Sequence, residues 1–344
     1  VIYILDGKAH FQHATSAVNF LSSRGLIPQM IVIAVHNVDR NRDFSPIHDE
    51  RIPTSGGAGK FIKFLKKELM PMVDEKYQTS GFTILMGHSF GGTFATYSLL
   101  TLPELFDGYI AISPYIHFMD SYLVEEAATK LKSEYDSQKF FYMTVGDEPP
   151  YFEPLGKFSS LLKEKSGESI VFKYVKMEDE DHGSIPYISL FSGLRFVFSD
   201  WQLPAEAITG GLKTVDQHYQ FISEKYGNKV ETPELVINQL GYYYLQIEDV
   251  DAAIKVFTEN VQRYPKSSNV YDSLGEAYEN NNQLDLAREN YKKAVELGME
   301  QKHPNTEVYK KNLRRVSETV DRGENSFAEY AWLLNYVAIM QVIN

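Results

Sequence analysis

Short apolar runs alternate with amphipathic stretches through the first part of the chain. Six of these runs are rich in β-branched and aromatic residues: VIYIL at 1–5, MIVIAV at 30–35, FTILMG at 82–87, GYIAIS at 108–113, FFYMTVG at 140–146 and IVFKYV at 170–175. Because the runs are continuously apolar, they predict strands that are buried on both faces. Buried strands separated by helices form a parallel sheet with helices on both faces, so we predict an α/β fold.

The stretches between the predicted strands place apolar residues at helical spacing. Residues 56–77 carry Phe61 and Leu65 one helical turn apart, and residues 184–201 follow a similar pattern. From about residue 204 the strand pattern stops and the rest of the chain is predicted to be helical.

These patterns divide the chain into three parts. We predict an α/β catalytic domain at 1–203, a helical connector at 204–233 and an all-α domain at 234–344. Pro204 and the later segments TGG and ETP mark the connector, because proline and glycine interrupt regular structure.

Two segments of the all-α part repeat with a common offset. The matching positions, each 34 residues apart, are Leu240-Gly241 with Leu274-Gly275, Tyr244 with Tyr278, Ala253 with Ala287 and Phe257 with Tyr291. The period and the small residues resemble tetratricopeptide repeats, in which paired helices stack on one another.

The segments after the repeats are expected to cap the helical stack or to dock on the first domain. They are TEVYKKNLRRV at 306–316 and the apolar FAEYAWLLNYVAIMQVI at 327–343. One interpretation makes the repeats a groove for a partner peptide, and another makes them a structural cap or a homodimer element. Two repeats form only a short groove, which favours the second interpretation.

Composition and charge exclude several classes of function. The net charge of −12 and the lack of a basic run argue against a nucleic-acid partner. The chain contains no cysteine, so disulfides, thiol catalysis and thiolate metal sites are excluded. No apolar run approaches the roughly 20 residues of a membrane span. The first residue is Val1 and not methionine, so we expect an upstream segment, and cytoplasm and periplasm both stay open as compartments.

The segment ILMGHSFGG at 84–92 places Ser89 between two glycines, directly after a predicted strand and before a predicted helix. This is the pattern of a nucleophile elbow, a strained turn that exposes a serine above the sheet. Side chains at Gly87 or Gly91 would collide across such a turn. Ser89 is therefore the candidate nucleophile; the alternative is a glycine-rich turn with an incidental serine.

A serine nucleophile needs a base, and His182 is the candidate. In α/β-hydrolases an acid and then a histidine follow the serine along the chain. Among the nine histidines, His182 alone comes just after the last predicted strand, in the segment EDEDHGSIPY. An imidazole at this position would take the serine proton and return it to the leaving oxygen.

The acid is expected after the fifth predicted strand, in GDEPPYFE, where Asp147 and Glu148 are adjacent. Neighbouring side chains on an extended backbone point to different sides, so only one of the two faces His182. We favour Glu148, with Asp147 as the alternative. The acidic run 179–181 forms a solvated loop or supports His182 itself, and a serine–histidine dyad with weak acid support also stays open.

An oxyanion needs two donors. The N–H of Phe90, directly after the serine, is one candidate. The second is expected in the tight turn that follows the first strand, where we favour the N–H of Lys8, with Gly7 or Ala9 as alternatives.

Several segments together resemble the esterases related to esterase D and to enterobactin-type siderophore hydrolases, particularly bacterial members with appended tetratricopeptide repeats. They are VIYILDGKAHF, RDFSP, SGGAGKFIKFLKKELMP, ILMGHSFGGTFATYSLL, LFDGYIAISP and EDEDHGSIPYISLFSGLRFVF. The resemblance implies an α/β-hydrolase fold with Ser89 as nucleophile, His182 as base and an acid near 147–148. It also implies that VIYIL is the third strand of the fold, so that two strands would precede it.

Candidate substrate-binding residues follow two of the strands. Arg40 and Arg42 lie after the second strand, where either could hold an anionic part of a substrate, or be a surface arginine paired with Asp43. Tyr115 and His117 could line an aromatic acyl pocket.

These residues predict a serine ester hydrolase that works through an acyl-enzyme, without metal or cofactor. The resemblance suggests siderophore lactones as substrates. A small-acyl carboxylesterase and an acyltransferase are the alternatives. A different class of function is a repeat-based binding module with an inactive hydrolase core.

Overall fold

The computed structural model describes residues 1–322, and the part up to residue 202 is built on a six-stranded parallel sheet. Its strands are β1 (Ile2–Ile4), β2 (Val32–Ala34), β3 (Ile84–His88), β4 (Gly108–Ile112), β5 (Lys139–Val145) and β6 (Ile170–Lys176). Their spatial order is β2-β1-β3-β4-β5-β6. All six predicted strands are present within a few residues of their expected bounds, and the predicted parallel α/β architecture is confirmed.

Helices lie on both faces of this sheet. They are α1 (Gly7–Ser23), α2 (Arg40–Phe44), α3 (Ala58–Phe64), α4 (Met70–Lys76), α5 (Phe90–Thr101), α6 (Phe118–Lys130), α7 (Pro149–Lys165) and α8 (Ile185–Val197), with a π-helical turn at Leu65–Leu69 and a 3-10 turn at Pro103–Leu105. Successive residues of a strand point to opposite faces. Accordingly, Ile110 of β4 lies against Gly193 of α8, whereas Tyr109 and Ala111 share a core cluster with Phe94 of α5.

The parallel sheet collects several loops at one edge. In such a sheet the carboxyl ends of all strands lie on the same side, where ligands bind in α/β folds. The loops after β1, β3, β4, β5 and β6 therefore meet there. They carry, in this order, Lys8, Ser89, Tyr115, Glu148 and His182.

The described residues divide into two compact units. One comprises Val1–Gln202 together with Ile222–Lys229, and the other comprises Leu203–Phe221 and the described residues from Val230 onward. The predicted connector at 204–233 is therefore shared between the units. None of the helices within residues 1–322 has the length and apolarity required to cross a bilayer.

The second unit is helical. Its elements are α9 (Ala205–Thr209), α10 (Leu212–Lys225), which continues into the first unit, α11 (Glu234–Gln246), α12 (Val250–Arg263), α13 (Ser268–Asn280) and α14 (Leu284–Gln301), followed by helical residues 306–322. The last of these helices packs on the preceding pair, where Val316 is buried with Tyr291 and Arg315 forms an ion pair with Glu279. The apolar segment at 327–343 lies outside the described residues.

In each helix pair, a glycine of the first helix faces an aromatic ring of the second. A methyl group on Gly241 of α11 would lie 2.4 Å from ring atom Cε1 of Phe257 on α12. The equivalent pair, Gly275 of α13 and Tyr291 of α14, would approach to 2.8 Å. These distances are shorter than van der Waals contact, so the two repeated glycines leave the room that the aromatic rings occupy.

We expect the substitution Gly275→Ala to destabilise the second unit by about 1–3 kcal/mol, because the new methyl group overpacks the contact with Tyr291. The control is Gly156→Ala in α7, where a methyl group would have no atom within 4 Å. There alanine should stabilise the helix by about 0.5–1 kcal/mol. Urea unfolding followed by far-UV circular dichroism measures both changes. Equal stability of the two variants would contradict the packing explanation.

Candidate active site

Ser89 stands on a strained turn between β3 and α5. Its backbone angles, φ 57° and ψ −120°, lie in a region that side-chain-bearing residues seldom occupy. A methyl group on Gly87 would lie 2.1 Å from the carbonyl oxygen of Gly91, so residue 87 has to be glycine in this conformation. The N–H of Ser89 donates to the carbonyl of Ile112 at 2.8 Å, which fixes the turn against the end of β4.

His182 and Glu148 form a hydrogen-bonded pair at the same edge of the sheet. His182 lies in the loop between β6 and α8, and its Nδ1 contacts Oε1 of Glu148. Glu148 is buried, whereas the side chain of His182 is 41% exposed. A histidine whose Nδ1–H donates to a carboxylate presents its Nε2 as an acceptor, which is the tautomer that a general base requires.

The second oxygen of Glu148 has two further donors. Oε2 accepts the hydroxyl of Ser113 at 2.5 Å and the N–H of Gly146 at 3.2 Å. The carboxylate is thus held on both oxygens, although it is buried. A buried carboxylate would otherwise be costly, and these donors compensate for the loss of water.

Asp147 occupies a different position from its neighbour. Its side chain is exposed and has no hydrogen bond or ion pair within residues 1–322, while its N–H donates to the carbonyl of Glu180 at 2.7 Å. Of the two adjacent acids, only Glu148 contacts His182.

In the acidic run before His182, the Asp181 side chain forms hydrogen bonds within the loop that carries the histidine. The Asp181 carboxylate accepts the N–H groups of Gly183 and Ser184, each at 2.8 Å. The hydrogen bond from Ser184 and then that from Gly183 lower the pKa of Asp181. Asp181 therefore stays ionised near neutral pH and stabilises the turn that carries His182, without contacting the imidazole by a hydrogen bond.

Several backbone N–H groups near the elbow lack an acceptor within the described part of the chain, as is usual in the first turn of a helix. They include that of Phe90, the first residue of α5, and that of Lys8 in the first turn of α1. The neighbours of Lys8 are already engaged, because Gly7 donates to Val35 at 2.8 Å and Ala9 donates to Asp6 at 2.8 Å. Of the three candidates in this turn, Lys8 has the free donor.

Arg40 and Arg42 are both paired with carboxylates. Arg40 donates from Nε and Nη2 to the two oxygens of Asp6, at 3.1 and 3.0 Å. Arg42 donates from Nε to Asp43 at 2.8 Å. Arg40 therefore stabilises the turn that carries Lys8. Both guanidinium groups already have a carboxylate partner.

Arg42 also borders a cavity of about 710 Å³ beside β2. The cavity is mainly apolar, with Ile33, Val35 and Phe61 among its lining residues, and Ser89, Glu148 and His182 are not among them. It is therefore separate from the serine–histidine site.

Tyr115 and His117 belong to a row of rings that reaches the site. The centroid of the His117 ring lies 4.2 Å from that of Tyr115 and 4.7 Å from that of Tyr151, whose ring is 6.0 Å from His182. Tyr115 is also close to the elbow, because its N–H lies 3.4 Å from the carbonyl oxygen of Ser89. Tyr151 lies in the first turn of α7. It is aromatic but belongs to no motif, so sequence reasoning did not select it.

Three further histidines lie in a row beside His182. The ring centroids are 4.5 Å apart for His182 and His88, 5.6 Å for His88 and His10, and 5.1 Å for His10 and His13. Burial lowers the pKa of His88 to about 3 and that of His10 to about 4. Both are neutral near pH 7 and add no positive charge next to His182. No group of side chains in residues 1–322 is arranged as metal ligands.

The residues missed by sequence reasoning share one cause. Ser113, Tyr151 and His10 are brought to the site by folding, and none stands in a spacing that indicates chemistry. His88 lies inside the serine motif, but its contact with the ring of His182 depends on the folded chain. For Ser113, the carboxylate that accepts its hydroxyl lies 35 residues away along the chain.

A parallel sheet with a serine on a strand-to-helix turn, and a histidine–carboxylate pair at the same edge, is the arrangement found in α/β-hydrolases. The first unit has this fold. A family model described as "Putative esterase" matches residues 1–163, and a tetratricopeptide repeat model matches residues 268–297. These matches confirm the resemblance inferred from the sequence motifs.

The individual relatives are siderophore esterases and a serine hydrolase. The chain is 33% identical over 147 residues to the ferri-bacillibactin esterase BesA of Bacillus subtilis, covering 37% of this chain and 51% of that protein. It is 33% identical over 149 residues to a siderophore enterobactin esterase of Emericella nidulans, covering 37% of this chain and 49% of that protein. The matches thus span about half the length of these curated relatives.

A solved structure extends the similarity further along the chain. The IroE-like serine hydrolase from Shewanella oneidensis is 28% identical, with a TM-score of 0.64, and the alignment covers 76% of this chain and 89% of that chain. The chain is therefore similar to esterases in its sequence and to a serine hydrolase in its structure.

Proposed function

We propose that this protein is a serine esterase in which Ser89, His182 and Glu148 form a catalytic triad. The observation that carries the proposal is the hydrogen-bonded pair of His182 and Glu148, at the sheet edge where the strained turn presents Ser89. A hydroxyl, a carboxylate and an imidazole in this chain order and on these loops are the parts of an acyl-transfer site.

The reaction follows from these groups. As the Ser89 hydroxyl attacks the ester carbonyl, His182 takes the hydroxyl proton on Nε2, and Glu148 stabilises the imidazolium through Nδ1–H. The free N–H groups of Phe90 and Lys8 are the donors for the developing oxyanion. His182 then returns the proton to the leaving alcohol oxygen. Water, activated by the same histidine, releases the acid and regenerates the serine.

The substrate class proposed is a carboxylic ester, including the ester bonds of siderophores of the trilactone type. The names of the two curated relatives support this choice. The row of Tyr115, His117 and Tyr151 beside His182 gives the substrate an aromatic wall. Arg40 and Arg42 contribute less to anion binding than expected from the sequence, because each is already paired with a carboxylate. A small-acyl carboxylesterase and an acyltransferase are the alternatives in the same class.

Product analysis tests the proposal. We expect the full chain to hydrolyse p-nitrophenyl acetate and a cyclic triester lactone in the presence of EDTA, with free acid as the product. Transfer of the acyl group to an added alcohol as the main reaction would indicate an acyltransferase. A folded protein that neither hydrolyses esters nor reacts with a fluorophosphonate would contradict the enzyme proposal and favour a binding module built on the repeats.

A further inference from the structure

Ser113 is a buried residue that joins two parts of the site. It directly follows β4, its side chain is fully buried, and its hydroxyl donates to Oε2 of Glu148 at 2.5 Å. This is the oxygen of Glu148 that does not face His182. The Ser113 hydroxyl thus fixes the carboxylate from the side opposite the imidazole.

The backbone around Ser113 is tied to the turn that carries Ser89. The carbonyl of Ile112, the preceding residue, accepts the N–H of Ser89 at 2.8 Å. The N–H of Ser113 donates to the carbonyl of Thr144 on β5 at 2.8 Å. The backbone of Ser113 is therefore hydrogen-bonded to β5, the strand that precedes Glu148. The residue before Ser113 is hydrogen-bonded to Ser89.

The conformation of Ser113 also has a cost. Its φ of +37° lies in the left-handed region, which non-glycine residues seldom adopt. Such strain persists where surrounding contacts hold it in place. Here the contacts are the backbone hydrogen bond from Ser113 to Thr144, the one from Ser89 to Ile112, and the hydrogen bond from the Ser113 hydroxyl to Glu148.

We propose that Ser113 is a positioning residue, which holds Glu148, and through Glu148 the ring of His182, in register with the Ser89 turn. The inference rests on the proposed esterase function. Without the hydroxyl, Oε2 keeps only the longer bond from Gly146, and the carboxylate is free to rotate away from the imidazole. Catalysis depends on such orientation, because small misplacements of a reacting group lower the rate sharply.

Two substitutions remove the hydroxyl in different ways. Ser113→Ala keeps the strained backbone, and Ser113→Gly relieves it. We expect both to lower kcat for p-nitrophenyl acetate roughly ten-fold, with KM changed less than about two-fold, because a hydrogen bond to a charged group is lost while substrate contacts stay. Full activity in either folded variant would overturn the proposal. The matched control is Ser189→Ala, another fully buried serine, whose hydroxyl bonds Thr144 at 2.8 Å and should leave kcat unchanged.

A double-mutant cycle separates positioning from general packing. In a Glu148→Gln background, Ser113→Ala should change kcat by less than about two-fold, since residues that act through one another are not additive. A loss as large as in the wild-type background would show that the hydroxyl acts elsewhere, and would overturn the inference.

A spectroscopic measurement decides the inference even if the protein hydrolyses no ester. The Nδ1 proton shared by His182 and Glu148 should give a low-field resonance in the proton NMR spectrum, which Glu148→Gln removes. We expect Ser113→Ala and Ser113→Gly to shift or broaden this resonance, and Ser189→Ala to leave it in place. An unchanged resonance in both Ser113 variants would overturn the inference. Lack of ester hydrolysis by the wild type would instead contradict the proposed function.

Discussion

Replacing Ser89 with alanine is expected to reduce ester hydrolysis on the order of 10⁶-fold in kcat, to the level of the uncatalysed reaction plus residual binding effects. In the proposed mechanism the hydroxyl oxygen of Ser89 forms the acyl-enzyme, and alanine supplies no nucleophile in its place. Labelling by a fluorophosphonate probe should disappear in the same variant. Steady-state kinetics and in-gel fluorescence measure the two effects.

The fold should survive this change. Alanine meets the same backbone strain as serine at φ 57°, and Ser89 is only half-buried. Ser98→Ala is the control, because Ser98 is a buried serine of α5, the helix that follows the Ser89 turn. Hydrolysis that persists in Ser89→Ala, with the control unchanged, would assign the activity to another nucleophile.

Glu148→Gln is expected to lower kcat on the order of 10²-fold or more, while Asp147→Asn should have little effect. Glutamine is nearly isosteric with glutamate, so the loops stay in place. Its amide cannot stabilise an imidazolium, and its N–H₂ group favours the tautomer with the proton on Nε2, which is unable to accept the proton of Ser89.

The Asp147→Asn variant is a closely matched control. The two acids are adjacent, and the same type of substitution is made at each, but only the Glu148 carboxylate contacts His182. The two variants are compared by kcat and by the rate of fluorophosphonate labelling. A larger loss in Asp147→Asn than in Glu148→Gln would mean that the other acid supports the histidine. Small losses in both would favour a serine–histidine dyad.

The order of the strands along the chain and the position of the serine turn could be predicted from sequence because both depend on local patterns. Continuously apolar runs predict strands without a solvent-facing side, as in β1, β3, β4 and β5, whereas the edge strand β6 exposes Lys173 and Lys176. The glycine at 87 is required by the 2.1 Å approach to Gly91. The 34-residue repeat could also be predicted, because its residues recur at a fixed spacing. The recurrence has a structural reason, since the glycine of each repeat faces an aromatic side chain of the following helix.

The sequence narrowed the choice of the acid to two adjacent residues, Asp147 and Glu148. Adjacent side chains diverge, but which of them points to the histidine depends on the path of a loop that is closed by a contact between residues 147 and 180. The two arginines show the same limit. Their types and location suggested either anion binding or a pair with Asp43. The folded chain shows that Arg42 makes that pair and that Arg40 is paired with Asp6, a partner the sequence did not indicate.

The α/β class, the candidate nucleophile, the candidate histidine and the helical repeats could all be predicted from the sequence. Each of them depends on residues that are adjacent or regularly spaced along the chain. Only the folded chain reveals which acid meets His182, that Ser113 donates to this acid, and that the rings of His88 and Tyr151 lie beside the imidazole. These contacts join residues separated by 30 or more positions, with His88 and His182 the most distant. Their formation depends on how parallel strands bring their carboxyl ends to one edge, and local sequence patterns do not specify which side chains meet there.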